Sequence, residues 1–488
     1  MQVDPSTSEP AGAGLRAEPA LLWLPIFAWV LSLVCAMQIT PTLDDWWAST
    51  PLTRFEPEVF LPGVFWRPFE TLLRLTWGAW PSLYPGGLHF AVMLGHGLSA
   101  WLIWRLVAYL GCSKQRASWV STLFLISPAV MMAAWSLDSA NQTWSTACGL
   151  GALWWRLQAP RRVLGPWLFG CVLALFWKES GAAWFIAAPL LAEGLALLSK
   201  RHETLEIKGV MKAIGVGLGV LALYFLLRKS LAIDGAVTAQ EGRYALNLSL
   251  VTTFKHVFML LGAAWSTLET VALLSETHRQ LWVAGLSAAL GLPLLTLVLW
   301  HVRAYLSSLP FWLCVLGAGA LMGPHAIFGR VSEMHTHPLL AATLVVLAYL
   351  TSRLRFDAQV ARVALVLWCL GALGASGHKY LTWLETSRGS EAVTEILLAQ
   401  WEGEPVQRLC TVWRKDRPKG YATFSAGHFE AAGSGRALMA AWGWDPDFDT
   451  RTVFSQARCP EDWTQALVFF DPEDGPTITP FHALKSGQ

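Results

Sequence analysis

The chain has 488 residues, of which 54% are hydrophobic and 14% charged, with a net charge of +2 and a mean hydropathy of +0.41. Soluble domains carry roughly 25% charged residues, so a soluble enzyme, a fibre and a disordered regulator are excluded. The charge is also unevenly spread: residues 1–377 hold 44 of the 70 Lys, Arg, Asp and Glu, and residues 378–488 hold the other 26. A membrane-like part is therefore followed by a segment with the make-up of a small soluble domain.

In chain order, residues 1–19 are polar and read as a cytoplasmic tail, followed by an apolar run at 20–39 that is long enough to span. It is too long for a signal-peptide core and is expected to be an uncleaved anchor helix. Residues 40–86 form a long outer loop, in which 67–84 alternates charge with Leu and Trp at helical spacing and predicts an interfacial helix. Further apolar runs lie near 87–110, 117–136, 140–157, 164–177, 181–198, 210–227, 281–300, 309–328, 336–351 and 363–377. The basic connectors Lys114/Arg116, Arg156/Arg161/Arg162, Lys200/Arg201/Lys208 and Arg353/Arg355/Arg362 all fall on one side, as cytoplasmic loops require.

The segment 254–274 decides the parity of every later helix. The loops from 275 to 362 sort better by charge if it lies along the outer face or re-enters, and Lys255, His256 and Glu269 fit an isolated span poorly. The expectation is an all-α polytopic membrane protein with about 11 transmembrane helices spread over 20–377. Residues 378–488 then form a small α+β extracytoplasmic C-terminal domain, built from a helix at 390–403 and the strand-like pieces RLCTVW, RALMAAW, TRTVFS and ALVFF. Of the eight cysteines, only Cys410 and Cys459 fall in that tail, where they could pair if it faces an oxidising compartment. No basic run of the kind that tracks phosphates occurs, so no nucleic-acid partner is expected.

Ionisable residues at the membrane edge are the candidates for chemistry, because burying them is costly. Asp44 and Asp45 follow the first helix; an adjacent carboxylate pair can hold a divalent cation or supply a general base, and it serves with or without an ion. Lys178 and Glu179 interrupt the apolar stretch 164–198 and suit a cation site for a phosphate, whereas a turn with snorkelling ends explains one charge but not two. Asp138 is similarly placed, although capping the next helix explains it more simply. Arg330 and Glu333, three apart, either pair with each other or form an anion-binding edge. Glu333, His335 and His337 lack the spacing of a zinc motif. His89 and His96 are two helical turns apart on one face, where a packed histidine is the commoner explanation. Trp46, Trp47, Trp66, Trp77 and Trp80 gather in one outer loop, where flat rings could stack on a sugar or line a lipid entrance.

Together LDDWW (43–47), FWRPF (65–69), LHFAVMLGHGL (88–98), FWKESGAAWFIAAPLL (176–191) and GRVSEMH (329–335) resemble the GT-C glycosyltransferase superfamily. The nearest likeness is to bacterial relatives of the protein O-mannosyltransferases. Val92 and Met93 stand where relatives often have Asn between the two histidines, 330–335 has no Tyr, and no tetratricopeptide repeats follow. The resemblance implies a bacterial inner-membrane enzyme that moves a sugar from a polyprenyl-phosphate donor to a glycan, lipid or protein acceptor hydroxyl on the outer face, with inversion. It implies that Asp44 or Asp45 is the base. Lys178, with Arg67, Arg228 or Arg330, would hold the departing phosphate, and Glu179 would orient Lys178. His89, His96, Asp138, Glu333, Trp46 and Trp66 would face substrate. The rival readings are a transporter or flippase of lipid-linked glycans, which needs charges deep in the spans and two related halves, and a surface-polysaccharide polymerase or ligase.

Overall fold

Apolar runs bounded by Pro, Gly or charge become helices because only a helix satisfies its own backbone groups away from water. A computed structural model of the chain describes residues 19–40, 60–62, 66–159, 164–201, 204–231, 249–270, 281–327, 333–353 and 358–400, with the strands 408–413, 449–453, 467–471 and 475–479. Each expected apolar run is a helix: α1 (Pro19–Ala36), α3 (Gly86–Tyr109), α4 (Lys114–Ile126) with α5 (Pro128–Trp135), α6 (Ala140–Gln158), α7 (Pro166–Trp177), α8 (Trp184–Leu198), α9 (Ile207–Leu231), α11 (Leu281–Val302), α12 (Leu309–Ala326), α13 (Thr336–Ser352) and α14 (Ala358–Gln400). The interfacial helix α2 (Pro68–Ala79) starts with Pro at N1, where its missing N–H costs nothing. Among the described residues seven helices are long and apolar enough to cross a membrane, or eight if the bent pair α4–α5 is one span. The protein is thus a multi-pass membrane protein.

The run 117–136 is broken rather than continuous. Pro128 removes an N–H and the chain bends by 65° between α4 and α5. Side chains of later helices bond to carbonyls on both sides of the break: Ser376 Oγ donates to Ile126 O (3.3 Å), Lys379 Nζ to Pro128 O (2.8 Å) and Thr336 Oγ1 to Ala129 O (2.7 Å). Such cross-bonding is what an irregular backbone inside a membrane requires. Elsewhere small residues allow close approach. Trp184 packs where a Cβ on Gly149 would lie, and the carbonyl of Ala174 occupies the corresponding place beside Gly181.

The segment 254–274 turns back on itself within the described residues. Helix α10 (Leu250–Trp265) has His256 against the Ala326 carbonyl at the end of α12 (3.1 Å), whereas Trp265 lines a cavity with Leu294, Leu344 and Leu365. The chain then reverses: Thr267 donates to the Ser287 carbonyl and lies against Gly291 and Gly371, and Glu269 reaches His378 (3.1 Å). Residues 365, 371 and 378 climb α14 in order, so 265 to 269 run back towards the end from which α10 entered. This is the re-entrant alternative of the sequence reading.

The bundle has two chemically different ends. At one, Arg201 donates to the Tyr109 carbonyl (2.6 Å), Tyr349 OH donates to the Leu198 carbonyl (2.7 Å), and Arg353 Nε donates to Tyr349 OH (3.2 Å). The ends of α3, α8 and α13 thereby bring basic connectors together, as the charge sorting expected. The other end holds Arg67, Asp138, Lys178, Glu179 and Glu333.

The final apolar run does not stop near 377. Helix α14 continues unbroken to Gln400, because 378–400 contains no Pro and Lys379 finds buried partners instead of ending the helix. Residues 390–400 of the helix expected at 390–403 are its last part. Beyond it, β1 (Arg408–Trp413), β2 (Asp449–Val453), β3 (Leu467–Asp471) and β4 (Gly475–Thr479) form a sheet in the order β2-β1-β3-β4, parallel except for the β3–β4 pair. The piece RALMAAW and Cys459 lie outside the described residues, and β4 was not anticipated.

Candidate functional site

The candidate site is built where α7 ends. Its C-terminal cap, Lys178, has extended backbone (φ −154°, ψ 135°), and the 3-10 turn Glu179–Ala183 follows. Successive side chains of an extended segment point to opposite sides, so Lys178 and Glu179 diverge. Glu179 accepts from Arg67 Nε (3.0 Å) and from the Trp66 backbone N–H (2.9 Å), while Lys178 Nζ turns to the Met334 sulfur at 3.7 Å. The expectation that Glu179 orients Lys178 is therefore corrected: its carboxylate grips the start of α2.

Arg67 lies at the centre of the cluster. Besides Glu179 it donates to Glu70 Oε2 (3.2 Å), which also accepts from Asn141 Nδ2 (2.9 Å). Burial works against this cation, but Glu179, Glu70 and Asp138 together raise it above its ordinary value. Lys178, 8% exposed, experiences the opposite balance. Burial, and then the positive charge of Arg67, push it down to about 8 against the pull of Asp138, Glu179 and Glu70. A buried ammonium whose acceptor is a thioether is poorly compensated.

Asp138 lies just before α6, whose N-cap is Ser139, and its charge acts on both Arg67 and Lys178. Trp66 stacks on Tyr224 at 5.2 Å between ring centroids and meets Phe176 edge-on at 5.7 Å, so its ring face is already covered on one side. Arg228 lies one turn beyond Tyr224 on α9 and is half-buried.

Several expected substrate contacts are instead packed in the core. His89 Nε2 donates to the Ile39 carbonyl (2.8 Å), and His96 Nδ1 shares a proton with His337 Nε2 (3.0 Å), whose Nδ1 lies 2.9 Å from Thr146 Oγ1. Both candidates are buried against these partners. Glu333 is tied to Lys379 and Thr270 (2.8 Å from Thr270 Oγ1), and His335 stacks on His325 at 3.7 Å between centroids. Glu333, His335 and His337 thus meet three different neighbours. Asp44, Asp45, Trp46, Trp47 and Arg330 lie outside the described residues.

Sequence reasoning missed Glu70, Asn141, Met334, His325 and Lys379. Glu70 was visible as the i+3 partner of Arg67. Lys379 was assigned to the tail because it closes an apolar window. His325, whose ring nitrogens are both buried without a hydrogen-bond partner among the described residues, was hidden inside one.

No protein-family model and no curated protein matches the chain. Among solved structures, the crystal structure of ArnT from Cupriavidus metallidurans bound to undecaprenyl phosphate is similar, with a TM-score of 0.46 and 13% identity over 96% of this chain and 94% of that one. A likeness of that size assigns neither fold nor activity. The class rests on the chain itself: a multi-pass membrane protein with a buried, mixed-charge cluster at one end of its bundle.

Proposed function

We propose that the chain is an integral-membrane glycosyltransferase of GT-C type, akin to relatives of the protein O-mannosyltransferases. It would transfer a sugar from a polyprenyl-phosphate donor to an acceptor hydroxyl at the outer face of a bacterial cytoplasmic membrane. The observation that carries this reading is Lys178, a buried ammonium held beside Arg67 whose acceptor among the described residues is a sulfur. A phosphate oxygen entering there supplies the missing partner, and the cluster's fixed charges would stabilise it as it departs.

In the step proposed, Asp44 or Asp45 takes the acceptor hydroxyl proton as its oxygen attacks the anomeric carbon. The bond from that carbon to the phosphate oxygen breaks, and the electron pair leaves with the polyprenyl phosphate. That leaving group needs charge neutralisation more than a proton, which suits two cations and no general acid. Arg67 is fixed by Glu179 and Glu70, so it is preorganised, while Lys178 is free to exchange sulfur for phosphate. Residues 378–488 we read as an extracytoplasmic domain that follows the span through the continuous helix α14.

The Asp44→Asn/Asp45→Asn double variant is expected to lose about 10²- to 10⁴-fold in transfer from a polyprenyl-phosphate sugar, the usual scale for a general base. Unchanged transfer would exclude the pair as base. The pH profile gives a second test. Lys178 pushed down to about 8 carries its charge below that pH and loses it above, so donor kcat/KM should fall as pH rises through about 8. A profile flat to pH 10 would remove Lys178 from phosphate binding.

A further inference from the structure

At the basic end of the bundle, opposite Lys178, a cavity of about 400 Å³ opens between α4, the tip of α10, α11, α13 and α14. Its walls are apolar and aromatic, with Trp119, Leu123, Trp265, Leu294, Leu344 and Trp368 among them. Its polar groups gather at the loop edge, where Ser113, Arg116 and Thr351 lie. The guanidiniums of Arg116 and Arg353 both act on the Cys112 thiol, which places a second cation at the same edge. We propose that this cavity binds one anionic phospholipid of the adjoining leaflet, with an acyl chain inside and the headgroup phosphate on Arg116.

The chemistry of the cavity selects this occupant. An apolar interior with a charged mouth matches a molecule that is apolar along its length and anionic at one end, and a guanidinium fork suits a phosphate. A soluble polar ligand would leave its groups unsatisfied against Leu and Trp. A protein helix, about 10 Å across, would exhaust 400 Å³ within about one turn. The tail of a polyprenyl donor held at Lys178 could reach the interior, but it brings no charge to Arg116. Thr336 and Thr351 stand fifteen residues apart along α13, about 22 Å of helix, so one phosphate cannot serve both ends. Lipid binding here does not depend on the proposed transferase activity.

Native mass spectrometry of the purified, delipidated full chain tests it, with phosphatidylglycerol and phosphatidylethanolamine of identical acyl chains as probes. The wild type should retain one phosphatidylglycerol about five- to tenfold more tightly than phosphatidylethanolamine, the scale of one guanidinium contact with a headgroup. Arg116→Gln, at a half-exposed position on the first turn of α4, should bring the two lipids level. Leu344→Trp, which fills the cavity, should abolish tight retention of both. Equal affinities in the wild type, or a preference untouched by either substitution, would overturn the proposal. So would one-for-one displacement of phosphatidylglycerol by polyprenyl phosphate with Arg116→Gln silent, because the cavity would then belong to the donor tail.

Discussion

Replacing Lys178 by Met is expected to lower single-turnover sugar transfer by about 10²- to 10³-fold, the range seen when one preorganised charge-stabilising donor is removed. Stability should hold or rise in the same variant. The ammonium is buried with a sulfur as its acceptor, so a thioether side chain of similar length removes a desolvation cost that outweighs the lost attraction of Asp138, Glu179 and Glu70, which keep Arg67 as their cation. Quenched transfer kinetics alongside thermal unfolding in detergent separate the two effects. Arg67→Met provides the contrast, because it strands the carboxylates of Glu179 and Glu70 in a buried setting; both activity and stability should fall. If Lys178→Met destabilised the protein as Arg67→Met does, Lys178 would be a structural residue and the phosphate site would lie elsewhere.

The second large effect concerns Glu333 and Lys379, which pair in the core where α14 crosses the broken α4–α5 helix. Glu333→Gln and Lys379→Met should each cost about 3–5 kcal/mol, since either leaves an uncompensated buried charge. Combining them should restore much of that loss. The remainder reflects the lost charge-assisted hydrogen bond from Lys379 to the Pro128 carbonyl, roughly 1–3 kcal/mol. A double-mutant cycle on unfolding free energy reads the coupling. Strict additivity would mean that the two groups are not a pair. Because Met334 and His335 come directly after Glu333, the pair also fixes the turn that lies against Lys178, and Glu333→Gln should slow transfer as well.

How much of the fold was legible in the sequence depends on what each signal measures. Apolar length and charge asymmetry are properties of a segment on its own, and from them came the helices and the basic end of the bundle; for 254–274 they left lying along the outer face and re-entering equally open. The side to which a charged residue turns is set by local backbone and by distant neighbours. Lys178 and Glu179 part company because residue 178 is extended, and nothing in the string WKES fixes that angle. Lys379 is buried because Pro128 and Glu333 are waiting for it, 251 and 46 residues away in the chain. Likewise His89 and His96 looked alike at helical spacing, and only their partners Ile39 and His337 place them in the core.

The most direct measurement is release of polyprenyl phosphate from a panel of polyprenyl-phosphate sugars by the purified protein in vesicles, with Lys178→Met run in parallel. The result expected is release coupled to acceptor glycosylation from at least one donor, reduced by about 10²-fold or more in the variant. Release from none of the donors, or equal release by both proteins, would contradict a phosphate-stabilising transferase site at Lys178.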